Sequence, residues 1–308
     1  MPQRLLFEPL LAGALLWAAR TYFACDQQVL SRKFRFVFRG LRMFEATARW
    51  ARFIRESRLG LDVSAIALLL DQIHRPHYDR RFDPIRRADF LIEHFRAIRT
   101  KLSADSYGRL LQHQDLHLGT IVGRQDATYE IRLTRNLQYS KEGSICLSLY
   151  RNDEALMTLA LSLGTQAGSS EARPAIFIGC VQSTNREPRE QLRLATRELF
   201  GIQPRFLLIH ALRAVASVWA VDRIEAVAGV NHPYQQRSSD RDRVRIDYDA
   251  FWELVGGERS ESGNYSIPLH SEFKDISAYP SEKRNEHRKR QMLVRKLLDQ
   301  IDWTLQRH

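Results

Sequence analysis

AIFIGCVQ, at residues 175–182, is an almost wholly apolar run that ends in polar residues. A similar run, RIEAVAGV at 223–230, follows it along the chain and leads into NHPY. Apolar runs of this length, bounded by polar residues, are typical of buried β-strands. Two helical patterns, at 188–200 and 206–221, separate the runs. We therefore predict two parallel strands joined by a helical crossover.

The residues before the first apolar run predict more strands. Three short runs, ATYEIRLTRNL, GSICLSLYR and ALMTLALSL, carry alternating or continuous apolar residues between polar breaks. The breaks KEG at 141–143 and RNDE at 151–154 are typical of hairpin turns. Together with 175–182, these runs predict a four-stranded antiparallel meander. NYSIPL, at 264–269, predicts a last strand.

Helical patterns occupy both ends of the chain. We predict helices within 3–58, at about 85–102 and at about 282–305. In the first of these regions Arg alternates with Phe, Leu, Met and Trp, and an apolar stripe begins at Leu41 and continues through Phe44, Ala48, Ala51 and Ile54. The fold class is α+β. We expect a basic helical N-terminal region, 1–114, packed on a mixed, mostly antiparallel sheet domain, 115–308, which ends in a basic helix.

The positive charge is concentrated at the two ends of the chain. The net charge is +11, and residues 1–60 contribute +7 while residues 281–308 contribute +4, so that 61–280 are neutral overall. This distribution favours contact with an anionic membrane surface or envelope component. Solvated helix surfaces are the alternative, and the absence of a recognisable motif argues against nucleic acid. The candidate contact residues are Arg35, Arg39, Arg42, Lys283, Arg284 and Arg288.

Other features of the sequence limit the class of protein. The apolar stretch at 9–19 is shorter than the roughly 18 residues that a membrane-spanning helix needs. We expect a cytoplasmic protein, with peripheral contact to the inner membrane and a divergent signal peptide as open alternatives. Cys25, Cys146 and Cys180 have no metal-binding spacing and do not suggest a disulfide framework. Pro76 separates His74 from His77, and no metal site is predicted.

Polar residues at the ends of the two apolar runs are candidates for chemistry. If the strands are parallel neighbours, these ends meet, and ligands in α/β sheets favour the carboxyl ends of strands. His232 is a candidate general base and Tyr234 a candidate general acid. The ligand-binding candidates are Gln182, Thr184, Asn185, Asn231, Arg193 and Arg197, the two arginines for an anionic group. The alternative is that Asn-His-Pro is only a turn.

Several segments together resemble one family. IGCVQ, RLATRELFGIQPRFLLIHALRAVA, IEAVAGVNH, IDYDAFWELVGG and KRNEHRKRQMLV are similar, in this order and spacing, to the VirK/YbjX family of Gram-negative bacteria. The similarity covers roughly residues 30–306. The resemblance implies a role in virulence, cell-envelope homeostasis and resistance to cationic antimicrobial peptides. It assigns no reaction and no cofactor.

The predicted element order also resembles that of GCN5-related acyltransferases. In those enzymes a glycine-rich loop after the strand that precedes the crossover helix binds the pyrophosphate of acyl-CoA. The corresponding stretch, QSTNREPREQ at 182–191, has no glycine. An acyltransferase-like enzyme that acts on an envelope-related substrate through a non-standard donor site is therefore the alternative function. The sequence leaves open whether the protein is an enzyme, and it gives no oligomeric state.

Overall fold

The computed structural model describes residues 3–165, 173–184, 189–236, 247–271 and 273–307, with the side chains of the first helix described from residue 11 onward. These ranges contain ten α-helices and eight β-strands. The helices are α1 (Gln3–Ala24), α2 (Leu30–Arg42), α3 (Phe44–Ser57), α4 (Val63–Gln72), α5 (Pro84–Lys101), α6 (Ala104–Leu111), α7 (Arg189–Glu198), α8 (Pro204–Val218), α9 (Tyr248–Leu254) and α10 (Ser281–Leu305). The strands are β1 (Leu116–Val122), β2 (Thr128–Thr134), β3 (Ile145–Arg151), β4 (Glu154–Thr165), β5 (Pro174–Ser183), β6 (Arg223–Ala226), β7 (Glu258–Arg259) and β8 (Tyr265–Ile267).

All the described strands belong to one mixed sheet, in the order β1-β2-β3-β4-β5-β6-β8-β7. Strands β1 to β5 form an antiparallel meander. Strand β6 pairs parallel to β5, and β8 and β7 complete the sheet by antiparallel pairing. The α+β class, the meander and the parallel pair joined through α7 and α8 are therefore confirmed.

Strand β5 carries apolar side chains on both of its faces. Ala175 and Phe177 share one apolar cluster with Phe90 of α5. Ile176 and Ile178 belong instead to the large cluster that includes helix α8 and residues of α10. Since successive side chains of a strand point to opposite faces, α5 covers one face of the sheet and α8 covers the other. This double coverage explains why β5 reads as a continuous apolar run.

The N-terminal helices have an apolar cluster of their own. Trp50 of α3, Leu70 of α4 and Phe95 of α5 are buried in it, and the indole of Trp50 donates a hydrogen bond to the carbonyl of Leu69 at 2.8 Å. Asp62 and Asp83 cap α4 and α5 by accepting from backbone N–H groups. These caps satisfy donors that the first turn of a helix leaves free.

Two local predictions differ from the structure. The stripe predicted from Leu41 is interrupted, because α2 ends at Arg42 and Leu41 points outward while the stripe resumes in α3. The KEG segment is not a tight hairpin turn. It lies in a longer connection, 135–144, whose end is fixed to β4 by the hydrogen bond from Ser144 N to the Leu161 carbonyl at 3.0 Å.

A β-bulge in β5 accommodates this connection. Ala160 pairs with Cys180 and Leu161 pairs with Ile178, so Gly179 is the extra residue between them. A Cβ at Gly179 would lie 1.8 Å from the carbonyl oxygen of Glu142. The backbone of the 135–144 connection therefore reaches the sheet only because position 179 has no side chain.

Candidate functional site

Three polar side chains, on β3, β4 and β5, lie in a row across one face of the sheet near the bulge. In the antiparallel register, Ser148 lies opposite Thr158, which lies opposite Gln182. Residues directly opposite each other share a face of the sheet, so the three form one polar row. The hydroxyls of Ser148 and Thr158 are hydrogen-bonded at 2.9 Å and both are buried. Gln182 ends the row and is half-buried.

Glu142 lies against this polar row. Its side-chain Oε1 accepts a hydrogen bond from Nε2 of Gln182 at 3.4 Å, and the same amide donates to Sγ of Cys180 at 3.5 Å. Glu142 is only 1% exposed, and its Oε2 has no partner among the described residues. Burial raises the pKa of this carboxyl from 4.5 to about 7. Glu142 is therefore able to gain or lose a proton near neutral pH.

An aromatic column stands next to Glu142. The ring of His232 stacks on Tyr234 at 5.6 Å and on Tyr248 at 5.2 Å, and Tyr248 in turn stacks on Trp252. Burial, followed by the charges of Cys180 and Glu142, raises the pKa of Tyr248. The structure thus brings His232, Tyr248 and Glu142 into one neighbourhood.

The structure makes His232 a weak base and Tyr234 a partly exposed phenol. Burial lowers the pKa of His232 to about 4, while the nearby Gly179 carbonyl acts in the opposite direction. Nδ1 of His232 accepts a hydrogen bond from the backbone N–H of Tyr234 at 3.3 Å. The ammonium group of Lys141 lies 4.4 Å from the centre of the Tyr234 ring. Of the groups in this neighbourhood, the one whose pKa suits acid–base work near pH 7 is Glu142.

Asn231 belongs to a different, buried network. Its amide donates to Oδ1 of Asn264 at 2.9 Å, and Asn264 donates in turn to both Glu225 and Asp79. Tyr78 also donates to Glu225, at 2.8 Å. This network ties the loop between α4 and α5 to strand β6 and to the residue that precedes β8. No local sequence pattern predicts this network, because its members are far apart in the chain and carry no motif.

Two further ligand candidates have separate positions. The hydroxyl of Thr184 donates to the backbone carbonyl of Ala155, so it closes the β4–β5 pair. Asn185 lies outside the described residues. The predicted meeting of the ends of β5 and β6 is only partial. The parallel pairing of these strands stops at Ile178 and Ala226, before the polar residues at their ends.

Arg193 and Arg197 lie in a groove on the other face of the sheet. The groove has a volume of about 1220 Å³ and is lined by α7, the start of α8, Met157 and Ser183. Met157 and Ser183 are paired residues and alternate with the Thr158–Gln182 pair, so they point away from Glu142. The two arginines and the polar row thus lie on opposite faces of the sheet.

The anionic-surface candidates lie on two exposed helices. Lys283, Arg284 and Arg288 are exposed in the first half of α10. The guanidinium of Arg284 donates to the carbonyls of Tyr279 and Ser277 and so holds the start of that helix in place. Arg35 and Arg42 are exposed on α2, and Arg39 is half-buried there.

Helix α2 also exposes large apolar side chains. Four of them fall within an arc of about 80° on an ideal helix. They are Leu30, Phe34, Phe38 and Leu41, named here the apolar stripe of α2, and each is more than half exposed. The opposite side of the helix packs through Phe36 and Gly40 against α1 and α3. Within the described ranges, no helix combines the length and apolarity that crossing a bilayer requires.

Comparison with known proteins places the chain in a family. The sequence matches the family described as protein of unknown function (DUF535) over residues 26–306. The chain belongs to this family. The resemblance to the VirK/YbjX proteins is thereby confirmed at the level of family membership. No solved structure matches the chain, so the similarity of element order to acyltransferases has no support beyond the order itself.

Two bacterial relatives show the extent of the similarity. Uncharacterized protein YbjX of Escherichia coli (strain K12) is 28% identical over 222 residues, which cover 71% of this chain and 66% of that protein. An uncharacterized protein of Haemophilus influenzae (strain ATCC 51907 / DSM 11121 / KW20 / Rd) is 25% identical over 228 residues, covering 72% of each. The match thus spans just under two thirds of the E. coli relative.

Proposed function

We propose that this protein binds the surface of an anionic membrane through helix α2. Under this proposal it serves the envelope-related role that its family resemblance implies, including resistance to cationic antimicrobial peptides. The observation that carries the proposal is the apolar stripe of α2, which faces away from the rest of the protein. A helix with an apolar face and basic flanks lies in the plane of the headgroups, with its apolar side chains among the acyl chains.

The charges beside the stripe favour a lipid surface over a protein partner. Helix α2 contains Arg32, Lys33, Arg35, Arg39 and Arg42, and it contains no Asp or Glu. On an ideal helix, Arg35 and Arg42 flank one side of the stripe and Lys33 flanks the other. This arrangement places cations at the headgroup level while the stripe inserts. A second copy of this chain would bring three flanking cations against three, which disfavours a dimer through this face.

The neighbouring residues extend the same surface. Val29 is exposed just before the helix, and Phe23 at the end of α1 lies edge-on to Phe34 at a ring distance of 6.0 Å. Nζ of Lys33 donates to the carbonyl of Phe23 at 2.7 Å, which fixes the turn between the helices. The first turn of the stripe is therefore tied to the end of α1.

The free energies that these side chains contribute are large enough for reversible binding to a membrane. A fully buried Phe or Leu side chain contributes about 1.5–3 kcal/mol, and each Lys or Arg near an anionic surface contributes about 1 kcal/mol. Four apolar side chains and the three flanking cations therefore contribute about 9–15 kcal/mol, against a cost of association of about 4–15 kcal/mol, which supports reversible binding. Salt weakens the electrostatic part and leaves the apolar part.

The experiment that tests the charge requirement is co-sedimentation with vesicles. The full chain is mixed at low salt with vesicles of phosphatidylcholine alone, or of phosphatidylcholine and phosphatidylglycerol in equal amounts. We expect much tighter binding to the anionic vesicles, and a loss of about 30-fold in the double variant Arg35→Ser, Arg42→Ser, at about 1 kcal/mol per charge. Equal binding of the wild type to both vesicle types contradicts the proposal.

A second candidate function is an acyltransferase-like enzyme, which the environment of Glu142 favours. A carboxyl with a pKa of about 7, hydrogen-bonded to Gln182 and close to Tyr248, suits general acid–base catalysis. The test is release of free thiol from acetyl-CoA or a long-chain acyl-CoA. The enzyme hypothesis expects release by the wild type and its loss in Glu142→Gln. Equal release by both proteins rejects Glu142 as the catalytic group.

A further inference from the structure

We propose that the groove between α7, α8 and the paired ends of β4 and β5 binds a single-chain anionic amphiphile, that is, an acyl chain that carries a carboxylate or phosphate. The groove is about 1220 Å³ in volume. This exceeds the 300–1,000 Å³ that is typical of small-ligand pockets, so the groove has room for a ligand with both a headgroup and a chain. The site is separate from helix α2 and from the polar row that carries Glu142.

The cationic half of the groove consists of guanidinium groups that are available to bind a ligand. Arg193 and Arg197 are one helical turn apart on α7, are both exposed, and have no ion pair or hydrogen bond among the described residues. Side chains at positions i and i+4 of a helix are neighbours. Two adjacent guanidinium groups present paired donors that match the oxygens of a carboxylate or phosphate.

A third arginine extends the positive charge along the groove. The guanidinium of Arg205 lies over the rings of Phe206 and Phe251, at 5.3 and 5.1 Å, and donates to Oε1 of Gln203 at 2.9 Å. It is therefore held in place at the start of α8. Glu190 also lines the groove, so the charge of the lining is three positive groups against one negative group. The net field favours an anion.

The other half of the groove is apolar. Met157 and Pro204 are buried and Leu194 is half-buried, and all three line the groove. Leu192 packs on the core of the sheet, whereas Leu194 is in none of the described apolar clusters. An acyl chain in the groove would remove this leucine from water, and this burial of apolar area would stabilise the complex. Neither inorganic phosphate nor a neutral detergent would satisfy both halves.

The test is titration of the full-length protein with monomeric amphiphiles, read by calorimetry. The ligands are dodecanoate and dodecyl phosphate, and the comparison compounds are dodecyl maltoside, which is neutral, and inorganic phosphate, which has no chain. We expect the two anionic amphiphiles to bind at least tenfold more tightly than either comparison compound. The double variant Arg193→Ser, Arg197→Ser is expected to lose at least tenfold in affinity for both.

Two controls make the result specific. The double variant Arg99→Ser, Lys296→Ser removes the same charge from exposed positions outside the groove and should bind as the wild type does. The variant Phe34→Ser, Phe38→Ser changes the membrane-binding helix and should also bind normally, so failure of the membrane proposal and failure of this one are distinguishable. Leu194→Ser provides an independent test of the apolar half and should weaken dodecyl phosphate but not inorganic phosphate.

Three outcomes overturn the proposal. They are equal affinity in the arginine variant and its charge-matched control, binding of inorganic phosphate as tight as that of dodecyl phosphate, and loss of amphiphile binding in the Phe34 and Phe38 variant. The arginines are exposed and unpaired, so the groove variant is expected to keep the wild-type melting temperature.

Discussion

Phe36 and Phe38 lie two positions apart on α2, yet Phe36 is 1% exposed and Phe38 is 68% exposed. Phe36 stacks on Tyr22 of α1 at a ring distance of 4.2 Å and so fixes the helix to the protein. Phe38 extends from the other side. The pair shows that α2 has one apolar face for packing and a second one that the described protein leaves uncovered, and the second face is the basis of the membrane proposal.

The first prediction concerns Glu142 and pH. Because burial raises the pKa of Glu142 from 4.5 to about 7, the folded state binds more protons than the unfolded state between these values. The free energy of unfolding therefore falls as pH rises through this window. We expect Glu142→Gln to remove this loss and to be more stable than the wild type by about 3 kcal/mol at about pH 8. Urea unfolding at several pH values measures the effect.

The control for this prediction is Glu282→Gln, which changes an exposed carboxyl in the first turn of α10. It should keep the pH dependence of the wild type. If Glu142→Gln and the wild type have the same dependence, Glu142 does not titrate near neutrality, and the acid–base hypothesis loses its support.

The second prediction concerns acid sensitivity. His94 is fully buried, its Nδ1 accepts from the backbone N–H of Leu163 at 3.1 Å, and burial lowers its pKa to about 3. The unfolded state then binds more protons below an ordinary pKa of 6.5, so stability falls on acidification. By about pH 5 this group alone removes about 2 kcal/mol.

His94→Asn keeps an acceptor for the Leu163 N–H and cannot be protonated. We expect the variant to be less stable than the wild type near pH 7, because the shorter side chain leaves a cavity, but to lose less stability on acidification. Thermal unfolding followed by circular dichroism measures both effects. Parallel stability curves for the two proteins would show that His94 is not the acid-sensitive group.

The third prediction concerns the bulge. Gly179→Ala would place a Cβ 1.8 Å from the Glu142 carbonyl oxygen, a backbone atom that cannot move aside as a flexible side chain could. We expect a loss of more than about 3 kcal/mol, or failure to fold. Gly108→Ala, in α6, meets no atom within 4 Å and is expected to gain up to about 1 kcal/mol from helix propensity. A small loss at position 179 would mean that the 135–144 connection does not rest on the sheet.

The sequence predicted those parts of the fold whose signal is local. The apolar runs of β5 and β6, the helices between them and the amphipathic α10 each carry a pattern of their own. Strand β1 was missed because His117 and Gly119 interrupt its apolar pattern, and α6 was missed because its Ala-Asp-Ser-Tyr-Gly start is typical of a loop.

The candidate site was harder to predict because non-local contacts create it. Glu142 lies in a Lys-Glu-Gly sequence that is typical of an exposed turn, and the packing of the 135–144 connection over Gly179 is what buries it. Arg193 and His232 were assigned to one cleft. Which face of β5 each one approaches depends on the bulge, and the sequence does not show the bulge.

The exposure of the apolar stripe of α2 could not be predicted from a local sequence pattern either. Phe34, Phe36 and Phe38 are equivalent in composition, and a helical pattern shows which of them share a face but not which face the protein covers. Contacts with α1 and α3 determine that choice. The basic residues of α2, in contrast, are visible in the sequence itself, and they remain candidate contact residues.

The most direct test of the membrane proposal is co-sedimentation of Phe34→Ser, Phe38→Ser with vesicles of phosphatidylcholine and phosphatidylglycerol. Both side chains are exposed, so the variant should fold as the wild type does. The matched control is Leu254→Ser, Met292→Ser, which removes two equally exposed apolar side chains from α9 and α10. The account predicts at least tenfold weaker binding for the α2 variant and wild-type binding for the control. Equal binding of wild type, variant and control would contradict it.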